Sequence, residues 1–247
     1  MILDLQFIKK PEVDTTKVLD SLIKGVVATN NLIGIGVDTL DDVGRGALAK
    51  TYEKLLKEEA KELQVAVNTR DKVEFLDAII DVLVVGCYYL ILKKSSDYGS
   101  LRLIDSWYPD LEKATEGFLE ELATDDFEAL YYSAAEIFFK LDVDHQRTVD
   151  TVLASNLSKF PTLKELNTAI HDYDQSGRCF DKEEITYSIA DIEMRGRYSG
   201  VYCECVIDIK GVERKVFWAT HDNGEEKIKY VKPLTFNEPD FKSCWNF

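Results

Sequence analysis

Histidine is scarce in this chain. Its three copies, His145, His171 and His221, fall in separate segments and offer neither a nucleophile triad nor a histidine zinc site. Cysteine supplies no metal motif either. The five residues Cys87, Cys179, Cys203, Cys205 and Cys244 include no pair with the two-residue gap of a zinc chelate, and Cys203 and Cys205 are spaced to share one face of a strand. An odd count of this kind reads as free thiols in a reducing compartment. Positive charge is in short supply, with 30 Lys and Arg against 45 Asp and Glu and a formal net charge of −15. A field of that sign repels a phosphate backbone and argues against general nucleic-acid binding. An anionic small substrate would need metal ions or a few placed lysines as intermediaries. The first ten residues lack the basic-then-apolar order of a leader, and a cytoplasmic location is expected. The glycines between Ile33 and Gly46 lack the Gly-Lys-Ser/Thr ending of a phosphate-cradling loop, so that stretch is expected to be a connector.

What the chain does have is hydrophobic periodicity. Val18, Leu19, Leu22, Ile23, Val26 and Val27 follow the spacing of an amphipathic helix. A second helix is expected over 48–67 and a third over 72–92, the latter apolar nearly all round and therefore central to a bundle. The third approaches membrane-spanning length, but its two aspartates cost about 2.5–3.5 kcal/mol each on insertion scales and argue against a membrane. Further helices are expected over 111–123, 126–141 and 145–158. Beyond Pro161 the pattern changes. Residues 201–209 and 212–219 alternate in period two, Lys210-Gly211 and Asp222-Asn-Gly224 supply turns, and 227–236 is a third candidate strand. The expected fold is mainly α, a helical bundle over 1–160 with a helical insertion at 93–140, followed by an α+β elaboration over 161–247 that carries a small antiparallel meander. Trp107, Trp218 and Trp245 are expected to pack in cores or interfaces.

The chemistry lies in carboxylates. Glu58 and Glu59 share a helical stripe with Glu62, and Glu74, Asp77 and Asp81 fall at i, i+3 and i+7 on the next helix. Asp77 and Asp81 sit among aliphatics, where a charge is costly unless something positive neutralises it. If the two helices pack antiparallel, four or five carboxylates converge, a hard oxygen-only set suited to Mg²⁺ or Mn²⁺. Each helix also has a plainer reading. Glu58, Glu59 and Glu62 can form a solvated face paired with Lys54, Lys57 and Lys61, and Asp77 and Asp81 a buried, protonated or hydrogen-bonded pair.

Glu58-Glu59-x-x-Glu62, followed by a helix carrying Asp77-Ala-Ile-Ile-Asp81-Val-Leu-Val-Val, resembles the all-α nucleoside triphosphate pyrophosphohydrolases. These include MazG-type proteins, dimeric dUTPases and phosphoribosyl-ATP pyrophosphohydrolases. Ser155-Asn156-Leu-Ser-Lys159-Phe-Pro161 is similar to that superfamily's Asn-x-x-Lys-(aromatic)-Pro element. The stretch from Lys227 to Phe241, with Lys229 and Lys232, is similar to the tail of phage-type MazG-like members. One departure stands out. The superfamily's second acidic motif is usually Glu-x-x-Asp. Either Asp77 replaces its glutamate, with Asp81 as the aspartate, or Glu74-x-x-Asp77 is the motif and Asp81 an extra.

The resemblance implies Mg²⁺-dependent hydrolysis of a (deoxy)nucleoside triphosphate to the monophosphate and pyrophosphate, in a homo-oligomer (dimer or tetramer). Glu58, Glu59, Glu62, Asp77 and Asp81 would hold the metal, with Mn²⁺ as a substitute. Glu59 or Glu62 would take a proton from water, and Asn156 and Lys159 would meet the phosphates. Two other classes stay open. Asp172-Tyr-Asp174-Gln-Ser176-Gly177, with Glu183 six residues on, fits a calcium-loop pattern. The chain could also be a catalytically degenerate member acting as a regulatory or binding partner.

Overall fold

The computed structural model describes residues 15–69, 71–93, 110–122, 127–174 and 184–246. Among them the chain forms α1 (Thr15–Leu32), α2 (Asp42–Thr69), α3 (Lys72–Lys93), α4 (Leu111–Leu122), α5 (Phe127–Leu141), α6 (His145–Ser158), α7 (Leu163–Asp174) and α8 (Glu184–Met194). The strands β1 (Tyr198–Ser199), β2 (Tyr202–Ile207), β3 (Glu213–Asp222) and β4 (Glu225–Tyr230) follow, with 3₁₀ turns at Val37–Thr39 and Phe241–Cys244. The expected mainly α architecture with a small antiparallel sheet is what the chain adopts.

α3 occupies the centre because nearly every face of it is apolar. Leu76, Ile79, Ile80, Val82, Leu83 and Tyr88 are wholly buried, and the helix's most apolar stretch is 72% buried inside the fold. Its hydrophobicity is therefore satisfied by neighbouring helices, the pattern of a core helix. α2 makes the most extensive helix contact with it. Asp71 starts α3, its carboxylate accepting from the backbone N–H of Val73 at 2.9 Å and of Glu74 at 3.3 Å. α1 packs on α6 and α3, and α5, with α4 behind it, covers another flank. Gly25 lets α1 and α6 approach closely, since a Cβ there would meet the δ-methyls of Leu153 at 2.5 Å.

Two sequence expectations need correction here. The connector ends early, and α2 begins at Asp42 instead of residue 48, taking Gly44 and Gly46 into the helix. The cause is a cap: Asp41 accepts from the Gly44 N–H at 2.7 Å through its carboxylate and from the Arg45 N–H at 2.8 Å through its carbonyl. The last strand, expected to reach residue 236, stops at Tyr230. Pro233 cannot donate to a ladder, and the chain turns there with Phe236 N–H bonded to the Pro233 carbonyl at 3.1 Å.

The sheet is built around β3. β1 and β2 pair with successive stretches of one edge (Ser199 opposite His221, Tyr202 opposite Trp218), and β4 pairs with the other (Trp218 opposite Tyr230). Gly200, at the break between β1 and β2, has φ +64°. Phe217, Ala219, Val201 and Val231 pack with Leu166 of α7 and Ile192 of α8 in a second small core. After β4 the chain returns to the bundle. Phe241 and Cys244 are buried in the main helical core, Val143 bridges Trp245, and the Asp144 N–H bonds to the Cys244 carbonyl at 2.8 Å.

Candidate active site

The α2–α3 hairpin brings its two acidic stripes face to face. A cleft of about 370 Å³ between the helices is lined by Lys61, Glu62, Val65, Ala66, Thr69, Glu74, Asp77, Ala78 and Asp81. Glu59, one turn before Glu62, feels the field of Asp81, Glu62, Glu58 and Asp77, and of the five expected metal-binding carboxylates Glu62, Asp77 and Asp81 line the cleft itself. Glu59, Asp77 and Asp81 are half-buried, whereas Glu58, Glu62 and Glu74 are exposed.

Placing this much negative charge against an apolar floor shifts protonation. Burial, followed by the charge of Asp81, pushes Glu59 up to about 7. Burial and then Asp77 push Asp81 up to about 7, although Lys159 and Lys232 pull the other way. Asp77 is also raised, by burial first and then by Glu74, Glu238 and Glu62. Glu59 and Asp81 therefore keep their protons to higher pH than ordinary carboxylates, because like charges in a poorly solvated site disfavour full ionisation.

Of the three lysines in the plainer reading of the α2 stripe, Lys57 pairs with Glu53 at 2.6 Å, while Glu58 and Glu62 are exposed as a solvated face would be. The oxygen-only donor set fits a hard divalent cation. Among the described residues, however, no three Asp, Glu, His or Cys side chains stand together as a ready-made metal group. The carboxylates face a common space, and side-chain rotation is needed to bring them onto one ion.

Two lysines from outside the cleft's lining lie within electrostatic reach of Asp81. Lys159 caps the C-terminus of α6, donates to the Asn156 side-chain oxygen at 2.6 Å and faces the Asp81 field. Burial, and then Lys232, lowers its pKa. Lys232 arrives from the stretch after β4, so of the two tail lysines it joins the site. Lys229 does not; it points across the sheet to Asp222 at 3.8 Å. Phe236 and Glu238 were not foreseen as site residues. Phe236 lies under both lysines, its ring centroid 5.7 Å from Lys159 Nζ and 3.9 Å from Lys232 Nζ. Glu238 is 3.5 Å from Lys232.

The two motif blocks thus come within electrostatic reach of one another, Lys159 at the end of α6 interacting with Asp81 and Glu59. Residues 45–94 match the family model of phosphoribosyl-ATP pyrophosphohydrolase. The match spans the hairpin that carries every expected metal ligand, about a fifth of the chain. It bears out the resemblance read from the acidic blocks, and the hairpin is similar to that pyrophosphohydrolase family. No curated protein and no solved structure matches the chain.

The second metal motif falls largely outside the described residues. Asp172 and Asp174 fall in the last turn of α7, and their side chains, with Ser176 and Glu183, lie outside the described residues, as does Trp107.

Proposed function

We propose that the protein hydrolyses a (deoxy)nucleoside triphosphate to the monophosphate and pyrophosphate, with Mg²⁺ as cofactor and Mn²⁺ as a substitute. The observation that carries this reading is the convergence of the α2 and α3 carboxylates on one cleft, within the family-matched segment and within electrostatic reach of Lys159. Glu58, Glu59, Glu62, Asp77 and Asp81 are the residues that would hold the cation, which when bound supplies neutralisation of the triphosphate and acidification of water.

The remaining chemistry belongs to the side chains. Glu59, half-buried and poised near neutrality, or Glu62 beside it, accepts a proton from the attacking water. The water oxygen forms a new bond to phosphorus while the bridge between the α- and β-phosphoryl groups breaks. Lys159 and the Asn156 amide then meet the charge that builds on the departing pyrophosphate. Asp77 and Asp81 hold the acidic wall against the apolar floor of α3. Of the two registers, Asp81 as the principal aspartate is favoured by its position facing both Glu59 and Lys159.

The reading extends to assembly as a dimer or tetramer. Val43 and Val65, 81% and 61% exposed on α2, supply apolar surface for it, and light scattering measures the state directly.

The activity test is a panel. Purified protein is incubated with Mg²⁺ and each canonical NTP and dNTP, together with phosphoribosyl-ATP, and released pyrophosphate is followed. At least one substrate is expected to yield stoichiometric pyrophosphate and monophosphate. Silence from every nucleotide, with enzyme at substrate concentration, removes the hydrolase reading. Mg²⁺-dependent nucleotide binding without turnover would then favour the degenerate binding member.

A further inference from the structure

Residues 231–241 belong to neither the helical hairpin nor the sheet, yet they are fixed at both ends and in the middle. At the start, the Val231 N–H bonds to the Phe217 carbonyl at 2.8 Å, and Arg195 donates to the Lys232 carbonyl at 3.2 Å. In the middle, the segment lies along the end of α6. Ser155 Oγ donates to the Asn237 carbonyl at 2.8 Å, the Asn237 N–H donates to Ser158 Oγ at 3.0 Å, and Thr235 Oγ1 donates to the Ser158 carbonyl at 3.3 Å. At the far end Phe241 is buried in the bundle core. These bonds hold the backbone directly beside Asn156 and Lys159.

This path sets two ammonium groups on one aromatic ring. Lys159 and Lys232 lie at 5.7 and 3.9 Å from the Phe236 ring, and Lys232 is close enough to disfavour the charge on Lys159. Two like charges held together in this way are relieved by an anion placed between them. Among the described residues Lys232 pairs with Glu238 at 3.5 Å. That partner is weak, since its side chain is 76% exposed and that of Lys232 51% exposed. A polyphosphate, with several charges and many acceptor oxygens, is the better counter-ion.

We propose that the 231–241 segment completes the substrate site: Lys232 is a second phosphate-binding cation paired with Lys159 across Phe236, and Glu238 is the counter-ion that the substrate's phosphates displace. The inference rests on the polyphosphate reading of the cleft and assigns part of its recognition to a segment outside the family-matched hairpin. Phe236 is a positioning residue that spaces the two ammonium groups, and the pinned backbone holds them before substrate arrives.

The test compares Lys232→Ala, Lys232→Arg, Glu238→Gln and Lys242→Ala, the last removing an exposed lysine from the same part of the chain. Each variant is first checked for wild-type circular dichroism. KM, kcat and the inhibition constant for pyrophosphate are then measured on the best substrate of the panel. Lys232→Ala is expected to raise KM and weaken pyrophosphate inhibition by the same factor, about 10- to 100-fold, the range for a lost charge-assisted contact. Lys232→Arg should recover most of that loss, Glu238→Gln should lower KM about two- to threefold on the scale of a surface ion pair, and Lys242→Ala should change neither constant. Equal effects of Lys232→Ala and Lys242→Ala, or no effect of either, overturn the proposal. If no nucleotide is turned over, the hydrolase reading fails separately, and calorimetry with inorganic tripolyphosphate and Mg²⁺ decides the role of Lys232. Weaker binding by Lys232→Ala than by wild type upholds it, and equal or absent binding overturns it.

Discussion

Asp81 and Glu59 are the residues at which stability and chemistry pull in opposite directions. Burial and neighbouring carboxylates push both carboxyls up to about 7 in the folded protein, well above the usual carboxylate range. Between pH 4 and 7 the folded state therefore binds more protons than the unfolded chain, and stability falls as pH rises through this window. It is greatest below the unfolded value and stays reduced above 7. Asp81→Asn removes the buried charge. It is expected to raise the stability of the metal-free protein at pH 8 by about 1–2 kcal/mol, read by chemical denaturation, while pyrophosphate release drops to background. The same protons must leave when a divalent cation binds. Mg²⁺ affinity should accordingly rise with pH through neutrality and release protons, which calorimetry in buffers of different ionisation enthalpy will count. A pH-independent Mg²⁺ affinity between pH 6 and 8 would contradict this. The acidic stripe was legible in the sequence because helical period alone puts i, i+3 and i+7 on one side. The protonation was not, since it depends on how deeply α2 and α3 bury their facing sides.

The helices could be read from apolar spacing, and each departure at this scale has a local cause. Glycines 44 and 46 suggested a loop, but a single aspartate cap at Asp41 outweighs their low helix propensity and extends α2. A two-residue strand such as β1 leaves no periodic signal at all. It exists because Gly200 turns the chain so that a single edge of β3 serves both β1 and β2. With φ +64°, and with a Cβ falling onto Thr220 Oγ1, Gly200→Ala should destabilise the protein by about 1–2 kcal/mol from the left-handed backbone alone. Hydrogen exchange is expected to accelerate at the β1–β3 pairing and remain unchanged in α3. Uniform loss of protection, α3 included, would show that the sheet and the bundle do not separate at this level.

For the whole molecule, the sheet and the bundle share more than a connection. Leu32 of α1 packs with Phe160 and Val216 of β3, and the chain after β4 returns Phe241 and Cys244 to the core around α3. Sequence patterning separated a helical part from a strand-rich part, and each composition shift was visible. The return path was not, because it is set by the turn at Pro233 and by bonds between Ser155, Ser158 and a distant backbone. Phe241→Ala should therefore unsettle the helices as well as the tail, at about 3–5 kcal/mol for an aromatic removed from a packed core. Denaturation followed by helical signal and by tryptophan fluorescence should move together. A shift confined to fluorescence would mean that the bundle core closes without Phe241.

The return of residues 231–244 to the bundle also sets the order in which function can appear during translation. The acidic hairpin of α2 and α3 is made well before residues 231–244, so it can form while Lys232 and Phe241 are still to be added. A chain stopped before residue 231 would thus present the carboxylate cleft without Lys232, and on the proposed reading it should bind a nucleotide more weakly than the longer chain.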